Sequence, residues 1–529
     1  MNVSEIIRSC VGAARETEVD HAQAVVVLLQ NLVLSPGPLY RIGEWAEPVE
    51  PHVLGLTAEQ KAAINDDRVG RALEALASER GRNIFFRLAL RLIKQFQLDT
   101  RRIHNDTTSV SFSGNYEGSQ TAPQITFGNS KAHRPDLKQL VFGLNITSDG
   151  AVPISHQIYS GNRTDDTVHA ANTEELRQIL GRDEFIYVAD CKLCTFDNCA
   201  MIAGYGGKFV TVLPRSRKEN SRFRTSLRLR QKPPRWKSIL KIPNSRHKSD
   251  PPDIYSSCAG PAKTQDGFRL VWIRSSQKAF LDAQTREANL RRAEVELAEL
   301  GKGLNRRHLK SKREVRQKTR TILKRHGVAD WIDTTVHQYQ EVSTTYQKRG
   351  RPRADSPVRE TRTTKLKLQM KRKLDVLRRE AHTDGVFPLV TNLARDPKKA
   401  VLQIYKYQAY IEKRFSLLKT ELEVAPAFLK KPQRVVGLMH AYFIALALTA
   451  LIERQVRKGM ERLGIEQLPL LPEGRMTSTP TAARILEAFT NASWFDFARG
   501  NDSVAFPIRL SPLQKQLLDL LEVPRTAYA

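Results

Sequence analysis

Apolar side chains recur at helical spacing along residues 1–98 and begin to alternate from Arg102 onward. In the helical part, residues 22–34 form an apolar stretch ended by Ser35-Pro36-Gly37-Pro38, and Thr57-Ala58-Glu59-Gln60 reads as a capping box. The amphipathic pattern that follows runs through Leu73, Leu76 and Leu90. Strands are predicted at 103–112, 140–147 and 152–159, the last two joined across Ser148-Asp149-Gly150, an Asp-Gly hairpin signal. A helix over 166–180 precedes a strand at 185–189 that ends on Asp190. Thr195 caps a short helix that stops at Gly204, and residues 209–213 make another strand. This order predicts an α/β fold with a mixed sheet and flanking helices.

The rhythm then changes. Charged helices are predicted at 281–300 and 309–326, around Gly301-Lys302-Gly303 and with Gly327 as a C-cap. Alternation at 334–346 and 361–370 predicts two strands. A buried strand returns at 386–390, and Asp396-Pro397 opens a long helix. The apolar run 435–452 is at the lower limit for a membrane span. Its Ala content and its continuation into Glu453-Arg454-Gln455-Val456-Arg457-Lys458 predict a buried core helix instead.

Charge sharpens the picture. The 529 residues carry a net charge of +29, with 40% hydrophobic and 27% charged residues. Between Arg215 and Glu380 there are 44 Lys and Arg against 17 Asp and Glu, a net of +27. A near-neutral scaffold interrupted by a basic insert is expected of a protein that grips a phosphate backbone, and argues against an ordinary metabolic enzyme. Five cysteines are too few for a disulfide scaffold. With no signal-peptide pattern at the N-terminus, a cytoplasmic protein is expected.

Two acids fall at expected strand ends, Asp106 and Asp190. Carboxylates so placed, with a third from a packed helix, can converge on Mg²⁺, which prefers oxygen ligands. On one continuous helix counted from Tyr405, Gln408, Glu412 and Lys419 fall at about 300°, 340° and 320°, taking roughly 100° per residue. The competing reading of that arc is a solvated helix face. Among other acids, Asp149 suits its turn, Asp165 or Asp166 a helix cap, and Asp136 a loop. Cys191 and Cys194, with Cys199 nearby, sit where a redox pair could, but no second pair completes a zinc site. Lys348-Arg349-Gly350-Arg351-Pro352-Arg353 resembles the core of an AT-hook, in which Arg349 and Arg351 would enter a narrow minor groove. A basic turn that touches DNA backbone is the alternative.

The stretch Tyr405-x2-Gln408-x3-Glu412-x6-Lys419 resembles the Tyr-x2-Arg-x3-Glu-x6-Lys signature of bacterial insertion-sequence DDE transposases. Asn105-Asp106-Thr107-Thr108 is similar to that family's first-Asp motif and Val188-Ala189-Asp190 to its second. The runs from Gly128 to Leu140 and from Gly161 to Asp165 resemble the intervening loop and strand ends. The resemblance spans about 100–215 and 386–455. It implies an RNase H-like fold in which Asp106, Asp190 and Glu412 are catalytic and bind two Mg²⁺, with Mn²⁺ able to substitute. It also implies that Tyr405 and Lys419 touch DNA phosphates. Gln408 stands where the family has Arg, so an amide contact to phosphate would replace a charged one.

The domains expected are a helical DNA-end-binding part (1–98), a catalytic domain in two pieces (99–214 and 386–460), the basic α+β insertion (215–385) and a helical tail (461–529). The expected function is DNA transposition: binding terminal inverted repeats, cleaving phosphodiester bonds and joining 3′-OH ends to target DNA. The partner is double-stranded DNA, and a homodimer is expected in the active complex. An RNase H-like nuclease without strand transfer, and a DNA-binding copy that has lost activity, stay open as alternatives.

Overall fold

The computed structural model describes the chain apart from residues 1–2, 12–18, 117–122, 132–133, 165–166, 245–249, 307–308, 310, 347–357, 423, 425–428, 493–494, 500–501, 507 and 529. Asp165, Asp166, Arg349 and Arg351 therefore lie outside the described residues. The chain divides into two compact units. One holds 1–212, 391–396 and 400–529, and the other holds 213–390 and 397–399.

In the first unit, helix His21–Leu34 starts at Asp20, whose carboxylate accepts the Gln23 N–H while the Gln23 side chain returns to the Asp20 N–H. Such reciprocal capping satisfies two otherwise orphaned donors, and the cap alone is worth about 1 kcal/mol. Thr57 and Gln60 form the expected box. The remaining pattern resolves into helices Asp66–Leu76 and Glu79–Phe96. Leu73 and Leu76 are buried, whereas Leu90 is 42% exposed, off the face it was expected to share.

These helices pack on Pro432–Leu463, in which twenty residues are buried. It is long and apolar enough to cross a membrane, yet 83% of its apolar window is buried inside the protein. Close packing explains its small residues: a side chain at Gly437 would run into the Leu73 carbonyl, and one at Gly459 into Leu520 backbone. The expected helical tail contains helices Ala482–Glu487 and Pro512–Leu521 but also a pair of strands, Phe495–Arg499 and Asp502–Phe506. Ile485, Leu517 and Leu520 share a core with Val456 and Met460, which fixes the tail to the end of the long helix.

The sheet of this unit contains β1 (Arg102–Phe112), β2 (Lys138–Thr147), β3 (Pro153–Ser160), β4 (Ile186–Val188) and β5 (Lys208–Val212), in the order β3-β2-β1-β4-β5. The first three are antiparallel neighbours, and β4 and β5 continue the sheet in parallel. Two buried arginines grip the turn between β2 and β3. Arg454 donates to the Asp149 carboxylate at 2.6 Å and to the carbonyls of Asp149, Phe96 and Gln97. Arg414, in helix Ala409–Thr420, donates to the carbonyls of Gly150 and Ala151 and pairs with Glu453 at 2.9 Å.

In the second unit, β6 (Lys237–Ile242), β7 (Asp253–Ser257), β8 (Arg269–Ser275) and β11 (Val386–Thr391) run in the order β11-β8-β7-β6. The buried Trp272 ring lies 3.8 Å from that of Phe223, beside Gly260, where a larger residue would collide with it. Helices Ser276–Lys302 and Lys312–Arg325 flank an antiparallel ribbon of β9 (Ile332–Tyr346) and β10 (Val358–Arg372).

The Arg414–Glu453 pair is nearly sealed, at 6% and 7% side-chain exposure. Removing one partner of such a pair strands a buried charge, at a cost of about 3–5 kcal/mol. Glu453→Gln is therefore expected to lower the thermal midpoint, and Arg414→Met with Glu453→Leu to recover most of the loss. Equal midpoints for wild type and Glu453→Gln would show that the pair does not hold this helix.

Candidate functional site

The parallel pairing of β1 with β4 ends at His104 opposite Val188. Asp106 and Asp190 each lie two residues further on, Asp106 still within β1 and Asp190 just past the end of β4. Asp106 is not at a strand terminus as expected, because β1 continues to Phe112 against β2; it stands where the pairing with β4 stops. The side chain of Asp106 is 24% exposed, its Oδ1 accepts the Thr107 N–H at 2.7 Å, and Lys131 Nζ stands 3.9 Å away. Asp190 accepts the Lys192 N–H at 2.9 Å and caps a single 3₁₀ turn.

Glu412 is exposed in the first turn of Ala409–Thr420. One neighbour registers all three acids. The Tyr405 phenol is held well above its usual range, first by burial and then by the charges of Asp190, Cys191, Glu412 and Asp106. These charges act on a tyrosine that stays protonated. Among the described residues, no three His, Cys, Asp or Glu side chains are placed to close around a metal ion. Both Asp carboxylates instead accept from nearby backbone N–H groups, Asp106 from Thr107 in β1 and Asp190 from Lys192 in its 3₁₀ turn.

Lys419 is exposed in the last turn of the same helix; partial desolvation, then repulsion from Lys131, lowers its pKa. Lys131 is the residue that sequence reasoning missed. Its Nζ donates to the Thr107 carbonyl and hydroxyl at 2.7 and 2.9 Å, directly beside Asp106. Its only signal in the sequence was membership of the Gly128-Asn-Ser-Lys run. The glycine there is required, since a side chain at Gly128 would meet the Gly161 carbonyl.

Gln408 needs correction. It is 8% exposed, with Nε2 donating to the Asn105 carbonyl at 2.7 Å and Oε1 lying 3.1 Å from His104 Nδ1. It therefore faces the sheet and not the outer face of the helix shared by Glu412 and Lys419. The expected continuous helix breaks into Lys398–Lys406 and Ala409–Thr420, and the Tyr407, Gln408 and Tyr410 N–H groups each bond three residues back. Such tight turns advance each residue by more than the roughly 100° of an α-helix. Gln408 rotates inward, while Glu412 and Lys419 stay outside.

Asp136, Asp149 and the cysteines have local partners or surroundings of their own. Asp136 pairs with Arg134 on the surface at 2.7 Å, and Asp149 is engaged by Arg454. Burial, and secondarily Asp190, push the Cys191 thiol up, and Cys194 and Cys199 are buried free thiols. A redox pair needs the opposite shift.

A family described as a domain of unknown function, DUF4277, matches residues 1–90. No curated protein matches the chain. Among solved structures, the chain is similar to the piggyBac transposase synaptic complex with hairpin DNA, at 8% identity over 86% of this chain and 74% of that one, with a TM-score of 0.39. It is also similar to the Mos1 transposase paired-end complex with left transposon end and to the Mos1 mariner paired-end complex with Mn. Both are 10% identical over 37% of this chain, cover 59% and 60% of those chains, and have a TM-score of 0.15. Likeness this loose does not by itself fix a fold.

The Gln408 environment leads to a test. Burial pulls the His104 pKa down to about 4, so the ring is neutral near pH 7. An arginine at 408 would have to bury its charge there in place of an amide. Gln408→Arg is expected to lower stability by more than about 1 kcal/mol, without tightening DNA binding. A variant as stable as wild type, with a steeper salt dependence of DNA binding, would place position 408 at the DNA after all.

Proposed function

We propose that this protein is a DDE-type transposase with an RNase H-like catalytic domain that acts on double-stranded DNA. The observation that carries the reading is that Asp106 lies on β1 where its pairing with β4 stops, Asp190 follows two residues past the end of β4, and the helix bearing Glu412 is tied to β1 by the Gln408–Asn105 hydrogen bond. The three acids come from separate chain segments whose sequences resemble the motifs of that family. The mixed sheet supports the same reading, as do the exposed Lys419 and the concentration of positive charge between Arg215 and Glu380.

In this reading Asp106, Asp190 and Glu412 would hold the metal. An all-carboxylate set suits a hard divalent cation. Both Asp side chains would exchange their local N–H partners for the ion. Two bound Mg²⁺ ions would activate the attacking oxygen and stabilise the leaving one. The protein's own groups then bind and orient. Tyr405, kept protonated, offers its O–H to a phosphate oxygen. Lys131 places a cation beside Asp106, where a scissile phosphate would bring negative charge, and Lys419 adds an exposed cation in the last turn of the Glu412 helix. Gln408 fixes the Glu412 helix to β1. Rate enhancement would rest on positioning and charge neutralisation, with no covalent bond between protein and DNA. Joining two element ends calls for two copies of the chain.

Asp106→Asn, Asp190→Asn and Glu412→Gln are each expected to abolish cleavage of labelled element ends while changing end binding only a few-fold. Each replaces a charged ligand by a neutral group of nearly the same shape. Cleavage near the wild-type rate in any one of them removes that residue from the site. Joining of the cut 3′ ends to an unrelated plasmid separates a transposase from a nuclease.

A further inference from the structure

The β9–β10 ribbon extends beyond the core that supports it. At its base, Ile332, Val336 and Leu366 are buried, the last two against Leu304 and Val315. Asn305 makes the final tie, exchanging hydrogen bonds with the backbone of Leu366. Past the Gln338–Leu366 pair, residues 340–345 and 358–364 are exposed on both faces. This leaves six consecutive pairs, about 20 Å of ribbon at roughly 3.4 Å per residue, with no packed side. A two-stranded hairpin without a packed face is marginal in water, so this length is unexplained by the stability of the unit.

The composition of the ribbon indicates what it would meet. Opposed residues share a face, so the odd-numbered positions from Asp333 to Thr345 and from Arg359 to Lys371 lie together. None of them is aliphatic; they are Thr, Ser, Gln, His, Tyr and charged residues. The two strands carry six Lys and Arg against three Asp and Glu. Lys365 is paired with Glu341, Arg372 with Glu287 and Glu294, and Asp333 with Lys373. Arg359, Arg362, Lys367 and Lys371 have no ion pair among the described residues. A protein partner for a bare ribbon would be expected to meet apolar side chains, and Val342 and Val358 are the only aliphatic residues among the exposed outer positions. Uncompensated cations among short hydrogen-bonding side chains suit phosphates and base edges instead.

We infer that the β9–β10 ribbon is an arm that lies in the major groove of double-stranded DNA, with Arg359, Arg362, Lys367 and Lys371 holding phosphates along it. The major groove is wide enough to admit a two-stranded ribbon. The inference rests on the DNA-directed function proposed above, and adds to it a second contact region made by a named element.

The test uses the full chain and the variant Arg359→Gln/Arg362→Gln/Lys367→Gln/Lys371→Gln, titrated with a short duplex of arbitrary sequence at several salt concentrations. The four positions are exposed or carry exposed side chains, so circular dichroism and the thermal midpoint should match wild type. The slope of log affinity against log salt is expected to fall by roughly 3.6, since each of the four lost phosphate contacts removes about 0.9. Protection of guanine N7 from dimethyl sulfate, a major-groove readout, should be lost with it. A second variant, Thr361→Glu/Thr363→Glu, keeps all four cations but sets negative charge against the phosphates, and must also weaken binding. If wild type binds the duplex and both variants bind with unchanged slope and protection, the arm is refuted while the proposed function stands. If wild type binds no DNA, both fall. A change in oligomeric state with an unchanged slope would assign the arm to a second copy of the chain and overturn the inference.

Discussion

The arrangement of the site depends on one buried guanidinium. Arg414 reaches from the helix that carries Glu412 to the carbonyls of Gly150 and Ala151 and to Glu453, closing a contact across more than 260 residues of sequence. Burying such a pair gains little net stability, because desolvation offsets most of the attraction. Its effect is on uniqueness. Any other docking of the helix would leave the Arg414 guanidinium charged in the core without Glu453 and without the Gly150 and Ala151 carbonyls. Gln408 adds a second tie, to the backbone of β1 next to Asp106. Glu412 lies between these two fixed points, on the exposed surface of the helix that they hold against the sheet.

The sheet was legible in the sequence because its signals are local. Alternation marks β1 to β3, Asp149-Gly150 marks their hairpin, and Thr195 marks the cap after Asp190. The long apolar helix could be assigned to the core from its Ala content and its charged continuation. What could not be read depends on partners far away in sequence. The break at 407–408 is stabilised by hydrogen bonds from Gln408 to β1, which no helical period announces, so an unbroken wheel placed Gln408 at the surface. Lys131 gains its position beside Asp106 only through the fold of its loop. Strands β6 and β7 are short, with few buried residues, and leave almost no periodic trace.

The two units divide the chemistry. One carries the acids, the buried pairs that fix them and little net charge. The other carries nearly all of the net positive charge and a ribbon longer than its own core requires.

The central claim is that Asp106, Asp190 and Glu412 meet at one metal site. Fe²⁺ bound in place of Mg²⁺ generates hydroxyl radicals that cut nearby backbone, so the full chain, treated with Fe²⁺ and ascorbate, reports which segments surround the ion. The account predicts cuts near residues 106, 190 and 412 together, all suppressed by excess Mg²⁺ and all lost in Asp106→Asn. Cuts at only one of the three segments, or cuts that persist in Asp106→Asn, would contradict it.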